Sequence, residues 1–176
     1  MGFMSATRPK NQERIFLTGF MGSGKSTVGK LLARQLNYTF WDTDQIIEAE
    51  SQTAIADIFA TQGEHAFRKM ESQVLAKVAR EDRAVISTGG GMVEKPENRD
   101  WFKTGFWVFL DVPLTIIQNR VANNPKRPLL KRPWEDTVKL YNSRLPLYLQ
   151  AQSVIRCGRL SPSEVVRLIC HAYSQR

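Results

Sequence analysis

One eight-residue stretch limits the fold more than any other part of this chain: Gly19-Phe20-Met21-Gly22-Ser23-Gly24-Lys25-Ser26. It follows a short apolar run, Arg14-Ile15-Phe16-Leu17-Thr18, which reads as a buried strand. From Lys25 the spacing of Val28, Leu31, Leu32 and Leu36 is helical, and Asn37 reads as its end. Strand, glycine-rich turn and helix in that order make a cradle for phosphate groups. Glycines let successive backbone N–H groups curl inward, and the helix adds the positive end of its dipole. Lys25 then reaches the β- and γ-phosphates, and the Ser26 hydroxyl is placed to hold Mg2+. Gly22, Ser23, Gly24, Lys25, Ser26 and Thr27 are the expected nucleotide-binding set.

The rest of the chain alternates strand and helix about five times, the pattern of a parallel sheet covered on both faces. Further strands are expected at Tyr38–Trp41, Ala84–Ser87, Gly105–Leu110 and Ser153–Arg156. Asp44 to Glu50 reads helical. A second piece, Ala54 to Ala60, has Thr53 as a plausible cap, and Gly63 breaks the chain after it. Phe67, Met70, Val74, Leu75 and Val78 mark one face of a longer helix. Pro113 starts another, and Trp134 to Gln150 reads helical with a kink or interruption at Pro146. Ser161-Pro162-Ser163-Glu164 has the form of a capping box that opens a last helix. In such sheets ligands sit at the carboxyl ends of the strands. The turn after Thr18, the Asp42-Thr43-Asp44 triplet and the Gly89–Gly91 run each follow a strand, so all three are expected on one edge.

Composition narrows the partners. The 176 residues are 42% hydrophobic and 24% charged, ordinary globular values, and the length suits one domain. The formal net charge is +8, which favours anionic partners: nucleic acid, acidic membranes, or phosphorylated and carboxylated small molecules. Cys157 and Cys170 form no CxxC pair, and His65 and His171 stand far apart, so neither a zinc site nor a disulfide framework is expected. The first residues carry no apolar signal segment, and Ala6 stands where a myristoylation pattern needs Ser or Thr. The cytoplasm is the expected location, with a processed plastid form as the alternative. Residues 1–13 read as a flexible tail and 14–176 as one domain. No feature calls for an oligomer, so a monomer is expected.

Asp42 is the nearest candidate for a second metal carboxylate, acting through a metal-bound water; capping of the next helix is the alternative. The Gly89–Gly91 run brings backbone N–H groups close to a ligand because no Cβ obstructs it.

Together, the phosphate loop, Asp42-Thr43-Asp44, Phe67-Arg68-x-x-Glu71, Ser87-Thr88-Gly89-Gly90-Gly91, Arg127-Pro128-Leu129-Leu130 and Arg144-x-Pro146-Leu147-Tyr148 resemble the shikimate kinases in order and spacing, over roughly residues 14–170. The resemblance implies a three-layer α/β P-loop NTPase fold of the nucleoside monophosphate kinase type: a five-stranded parallel sheet flanked by helices, with a lid. It implies phosphorylation of the shikimate 3-hydroxyl by ATP, with Mg2+ as cofactor, on the route to chorismate and the aromatic amino acids. It places the lid at about 120–133 and a shikimate-binding segment at about 44–72. Shikimate carries one carboxylate and three hydroxyls. Arg68 and Arg144 supply planar forks for the carboxylate. Asp44 suits the hydroxyls, as a positioning group more than as a base, because a loose phosphoryl-transfer transition state demands little deprotonation before attack. The resemblance puts Gly90 against the substrate, Arg127 on the ATP phosphates, and Arg120 and Arg159 near the adenine. Phe59 and Phe67 wall the pocket or simply pack in the core. Asp44, Lys25 and Arg127 form the expected catalytic group. Two other readings are a related kinase acting on gluconate or a nucleoside monophosphate, and a non-catalytic ATP- or nucleic-acid-binding module. The Asp42-Thr43-Asp44 and Phe67-Arg68 pairs speak against the first, and retention of the phosphate loop with Asp44, Arg68, Arg127 and Arg144 speaks against the second.

Overall fold

The computed structural model describes residues 13–122 and 133–176. The proposed tail, apart from Glu13, and Arg127 with its neighbours lie outside the described residues. Five strands lie parallel in one sheet: β1 (Arg14–Thr18), β2 (Thr39–Asp42), β3 (Ala84–Ser87), β4 (Phe106–Asp111) and β5 (Ser153–Arg156), in the order β2-β3-β1-β4-β5. The described helices are α1 (Lys25–Leu36), α2 (Thr43–Ser51), α3 (Ile55–Val78), α4 (Pro96–Phe102), α5 (Leu114–Ala122), α6 (Trp134–Tyr148) and α7 (Pro162–Ser174), with a 3-10 turn at Met92–Glu94.

Every residue of β1 is buried, as a central parallel strand with both faces covered requires. Successive side chains serve opposite layers. Leu17 faces α1, where it touches the ground over Gly29, whereas Phe16 packs on Phe102 of α4 with ring centres 5.5 Å apart. The same alternation runs along β4. Trp107 meets Phe102 and Phe109 stacks on Tyr148 of α6, while Phe106 turns to Tyr173 of α7. So α1 and α7 cover one face, and α4 and α6 pack on the other. A smaller core of Ile47, Ile58, Phe67 and Val74 joins α2 to α3.

The chain leaves β1 towards β2 and β3, then crosses to β4 and β5. The crevice at the carboxyl end of β1 is therefore the topological switch point, where ligands settle in such sheets. Register keeps that edge level: Leu17 and Asp42 both pair with Ser87.

Helix ends follow local chemistry. Asn37 closes α1 in the left-handed conformation, and Ser161 with Glu164 forms a reciprocal capping box on α7. One expectation is corrected. Thr53 does not cap α3: its Oγ1 donates to Ser51 O, the N-cap position falls on Ala54, and the Ile55 N–H is met by Glu48 Oε1 at 3.0 Å. Gly63 breaks the helical run as expected: with φ 82° and ψ 171° it is non-helical, and two helical pieces meet in a kink there within α3. Pro146 sits inside α6 without interrupting it. The 3-10 turn and α4 carry too little periodicity to be read from the sequence.

Gly105 precedes β4 at the edge opposite the crevice. A Cβ there would lie 2.7 Å from Arg14 Cγ and 2.8 Å from the Arg14 carbonyl. Arg14 is fully buried and donates to the Ala79 carbonyl, so it has little room to yield. Gly105→Ala should therefore lower unfolding free energy by about 1–3 kcal/mol, the usual range for overpacking. A urea titration measures it, and an unchanged midpoint would show that β1 and β4 separate easily here.

Candidate active site

The loop after β1 turns through Gly22 and Gly24, both with positive φ (73° and 90°), before α1 begins. Gly24 is the N-cap and offers no side-chain acceptor, so the first-turn N–H groups of α1 are left for an external anion. The Lys25 ammonium folds over the loop and donates to Gly19 O at 2.8 Å and Phe20 O at 3.1 Å. Beside the loop a cavity of about 280 Å3 is walled by Gly24, Thr27, Arg120, Cys157 and Leu160 among others. Arg120 Nη1 donates to Gly22 O at 2.9 Å, so the structure places Arg120 against the phosphate loop. Arg159, one residue before Leu160, is exposed and does not line the cavity. No sequence signal pointed to Cys157 and Leu160 as wall residues.

Asp42 works in two directions, one with each carboxylate oxygen. Oδ1 accepts from the N–H groups of Asp44 (3.1 Å) and Gln45 (3.4 Å), which makes Asp42 the N-cap of α2. Oδ2 accepts from the Ser26 hydroxyl at 2.6 Å. The capping reading of Asp42 is thus met by one oxygen, and the other stands on Ser26. The Ser26–Asp42 oxygen pair has the hard-donor chemistry that Mg2+ takes. Among the described residues no cluster of three or more His, Cys, Asp or Glu could hold a metal by itself. Mg2+ usually keeps waters and substrate phosphates, so one or two protein oxygens suffice.

Two residues on, Asp44 points its Oδ1 into a buried position with no hydrogen-bond partner among the described residues. Burial pushes its carboxyl up to about 6; the Asp42 charge adds to the rise and Lys25 opposes it. The glycine run after β3 packs beside it. A Cβ on Gly89 would stand 3.1 Å from Asp44 Oδ1 and 2.5 Å from Glu71 Oε1, and one on Gly91 would overlap the Arg68 guanidinium. A Cβ on Gly90 would lie 3.7 Å from Arg144 Nη1 and 3.4 Å from the Gly19 carbonyl of the phosphate loop. Arg68 from α3 and Arg144 from α6 therefore converge on the same three glycines.

Each arginine is already paired. Arg68 donates to Glu71 at 2.6 Å and to Glu64 at 3.3 Å; Arg144 donates through Nε to Glu94 at 2.7 Å. Burial pulls the Arg68 guanidinium down, but Glu71, Glu94 and Glu64 outweigh it and hold it above its ordinary value. Glu71 is itself pushed up to about 7, by burial first, against the pull of Arg68. Tyr148 donates to Gly90 O at 2.6 Å. Phe67 is buried under Phe59, ring centres 4.7 Å apart, and Phe59 keeps 37% of its surface exposed. Phe67 thus packs in the α2–α3 core and only Phe59 offers an open face. Glu71 and Tyr148 stood in the quoted motifs without a role, although the i, i+3 spacing of Arg68 and Glu71 signals a pair. Glu94 gave no signal.

Asp42→Ala should cost about 1 kcal/mol of stability through the lost cap, whereas Asp42→Asn, an equal cap, should stay within about 0.5 kcal/mol of wild type. Thermal or urea melts separate the two; equal losses would mean that the charge on Asp42, not its cap, carries the effect.

The shikimate kinase family model matches residues 21–174. A shikimate kinase of Rippkaea orientalis is 44% identical over 162 residues, covering 90% of this chain and 86% of that protein. Among solved structures, a shikimate kinase from Acinetobacter baumannii in complex with shikimate superposes with a TM-score of 0.89 at 32% identity, covering 94% of this chain and 95% of that one. The Aquifex aeolicus shikimate kinase superposes with a TM-score of 0.83 at 39% identity, covering 92% and 96%.

Proposed function

The chain belongs to the shikimate kinase family, and on that premise we propose that it transfers the γ-phosphoryl group of ATP to the 3-hydroxyl of shikimate, giving shikimate 3-phosphate and ADP on the route to chorismate and the aromatic amino acids. One observation carries the assignment of the site: two guanidiniums from different helices meet over the Gly89–Gly91 run, and that run touches both Asp44 and the phosphate loop.

In this reading Arg68 and Arg144 grip the shikimate carboxylate, with the backbone of Gly89, Gly90 and Gly91 beside it and Phe59, backed by the buried Phe67, at the wall. Asp44 takes the 3-hydroxyl. Its unpartnered Oδ1 is an acceptor of the right kind, buried where a hydroxyl would replace water. The shikimate oxygen attacks the γ-phosphorus, and the bond from that phosphorus to the β–γ bridging oxygen breaks. The electron pair leaves with ADP, and Asp44 is the nearest acceptor for the departing hydroxyl proton. Little deprotonation is needed before attack, so orientation of the oxygen is the larger contribution.

On the nucleotide side Gly22, Ser23, Gly24, Ser26 and Thr27 cradle the phosphates, and Lys25 bridges the β- and γ-groups. Ser26 and Asp42 would hold Mg2+, which would supply neutralisation of the charge that builds on the phosphates. Arg120 and Arg159 flank the adenine side. The motif assigns Arg127, in the proposed lid at 120–133, to the same phosphates, where an arginine is worth about 10³–10⁵ in rate. Residues 44–72 form the shikimate-binding segment of a domain spanning 14–176. The protein acts as a cytoplasmic monomer on small molecules, without nucleic acid or membrane; among the described residues no helix is long and apolar enough to cross a membrane.

A coupled ADP-release assay across shikimate, quinate, gluconate and AMP tests this reading. Turnover should require shikimate, and preference for gluconate or AMP would replace the assignment. Arg68→Lys should raise the KM for shikimate by about tenfold or more, since an ammonium cannot make the bidentate contact. A KM unmoved by that change would take Arg68 out of the carboxylate site.

A further inference from the structure

Arg144 enters the carboxylate grip with one edge already held. Its Nε donates to Glu94 Oε1 at 2.7 Å, and its side chain is 7% exposed against 37% for Glu94. The other edge faces the glycines: Nη1 is the Arg144 atom nearest Gly90. The backbone under Glu94 is fixed on both sides. Glu94 N–H donates to Gly91 O at 3.1 Å, and Met92 N–H to Gly89 O at 3.1 Å, so the 3-10 turn grows directly out of the glycine run. From α4, Arg99 donates to Val93 O and Glu94 O at 2.7 and 2.9 Å. A rigid turn thus presents one carboxylate to one arginine.

Building on the kinase reading above, we propose that Glu94 is a positioning residue for the substrate carboxylate: it holds Arg144 by Nε and so aims the two Nη groups at Gly90. Two other neighbours support the guanidinium from other sides. The Phe20 ring lies 5.9 Å below the guanidinium and supports its plane, not its rotation within the plane. The Tyr148 hydroxyl gives its proton to Gly90 O, and its oxygen is a hydrogen-bond partner of Arg144, so Tyr148 and Glu94 hold the guanidinium together, Glu94 at Nε. An arginine has a long, flexible stem, and a bidentate contact needs its fork pre-set.

Glu94 also brings a negative charge towards the place where a carboxylate must bind. Two facts limit that repulsion. Glu94 is more than a third exposed, so water screens it. It also lies on the Nε edge, with the guanidinium between it and the Nη side. The direct charge-assisted bond therefore outweighs the repulsion.

The test is steady-state kinetics of the wild type, Glu94→Ala and Glu94→Gln, varying shikimate and ATP separately. Glu94→Ala should raise the KM for shikimate about tenfold, the scale of one lost hydrogen bond to a charged group, and leave the KM for ATP and kcat within about threefold. Glu94→Gln keeps an acceptor for Nε and should return the shikimate KM to within about threefold of wild type. An unchanged or lowered shikimate KM in the alanine variant overturns the proposal. So does an equal loss for ATP, and so does a glutamine variant as impaired as alanine. A wild type inactive on shikimate would instead sink the kinase reading and take this inference with it.

Discussion

Two half-sites have to share one cleft, and a single carboxylate fastens them together. The phosphate loop belongs to β1 and α1, while the pocket proposed for the acceptor is built by β2, α2, α3 and α6. Asp42 lies at the junction. One oxygen caps α2 and so fixes where Asp44 begins; the other holds Ser26 of the loop at 2.6 Å. Moving either half would strand a buried acceptor or a helix terminus, and both are costly. The parallel sheet supplies the coarse alignment by bringing Thr18, Asp42 and Ser87 to one edge. The Asp42 bonds supply the fine alignment that in-line transfer needs.

The same economy governs the charges. A net charge of +8 suggests a general anion surface, yet Arg68 and Arg144 are each matched with a carboxylate: Arg68 with Glu71 and Glu64, Arg144 with Glu94. Glu71 is 1% exposed and Glu94 is 37% exposed, so the two pairs differ in kind. Burial makes the Arg68–Glu71 pair expensive to break and fixes the α3 side of the pocket. The Arg144–Glu94 pair sits near water and adds direction more than stability. Pairing also means that substrate meets guanidiniums already oriented, so less ordering is left for the binding step.

Legibility tracked the range over which each feature is decided. The phosphate loop, the strand ends, the Asn37 helix end and the α7 capping box are local, and all stood in the sequence. Arg68, Arg144 and Asp44 were found through motif order, and the fold brings them together as that order implied. Glu94 was invisible because its role depends on a 3-10 turn and on α6, fifty residues away in the chain. Thr53 misled for a smaller reason: it precedes α3 by one residue too many, so the cap position falls on Ala54 and Glu48 meets the first amide from α2 instead. Phe67 met its core reading: it packs between α2 and α3, beneath Phe59.

The three consecutive glycines look alike in sequence but are glycine for different reasons. At Gly89 a methyl would strike Glu71, and at Gly91 it would strike the Arg68 guanidinium, so both positions are closed by the protein's own side chains. Gly90 is not closed in that way. Its Cβ would meet Gly19 O, the Tyr148 hydroxyl and Arg144 Nη1 at 3.4, 3.6 and 3.7 Å, which are ordinary contacts. Packing within the chain therefore tolerates alanine there. The space such a Cβ would fill lies between the phosphate-loop carbonyl and the arginine fork, on the line joining the two half-sites. In the proposed reading a side chain at 90 would stand where the substrate lies, so the constraint at this position would come from the ligand and not from the fold.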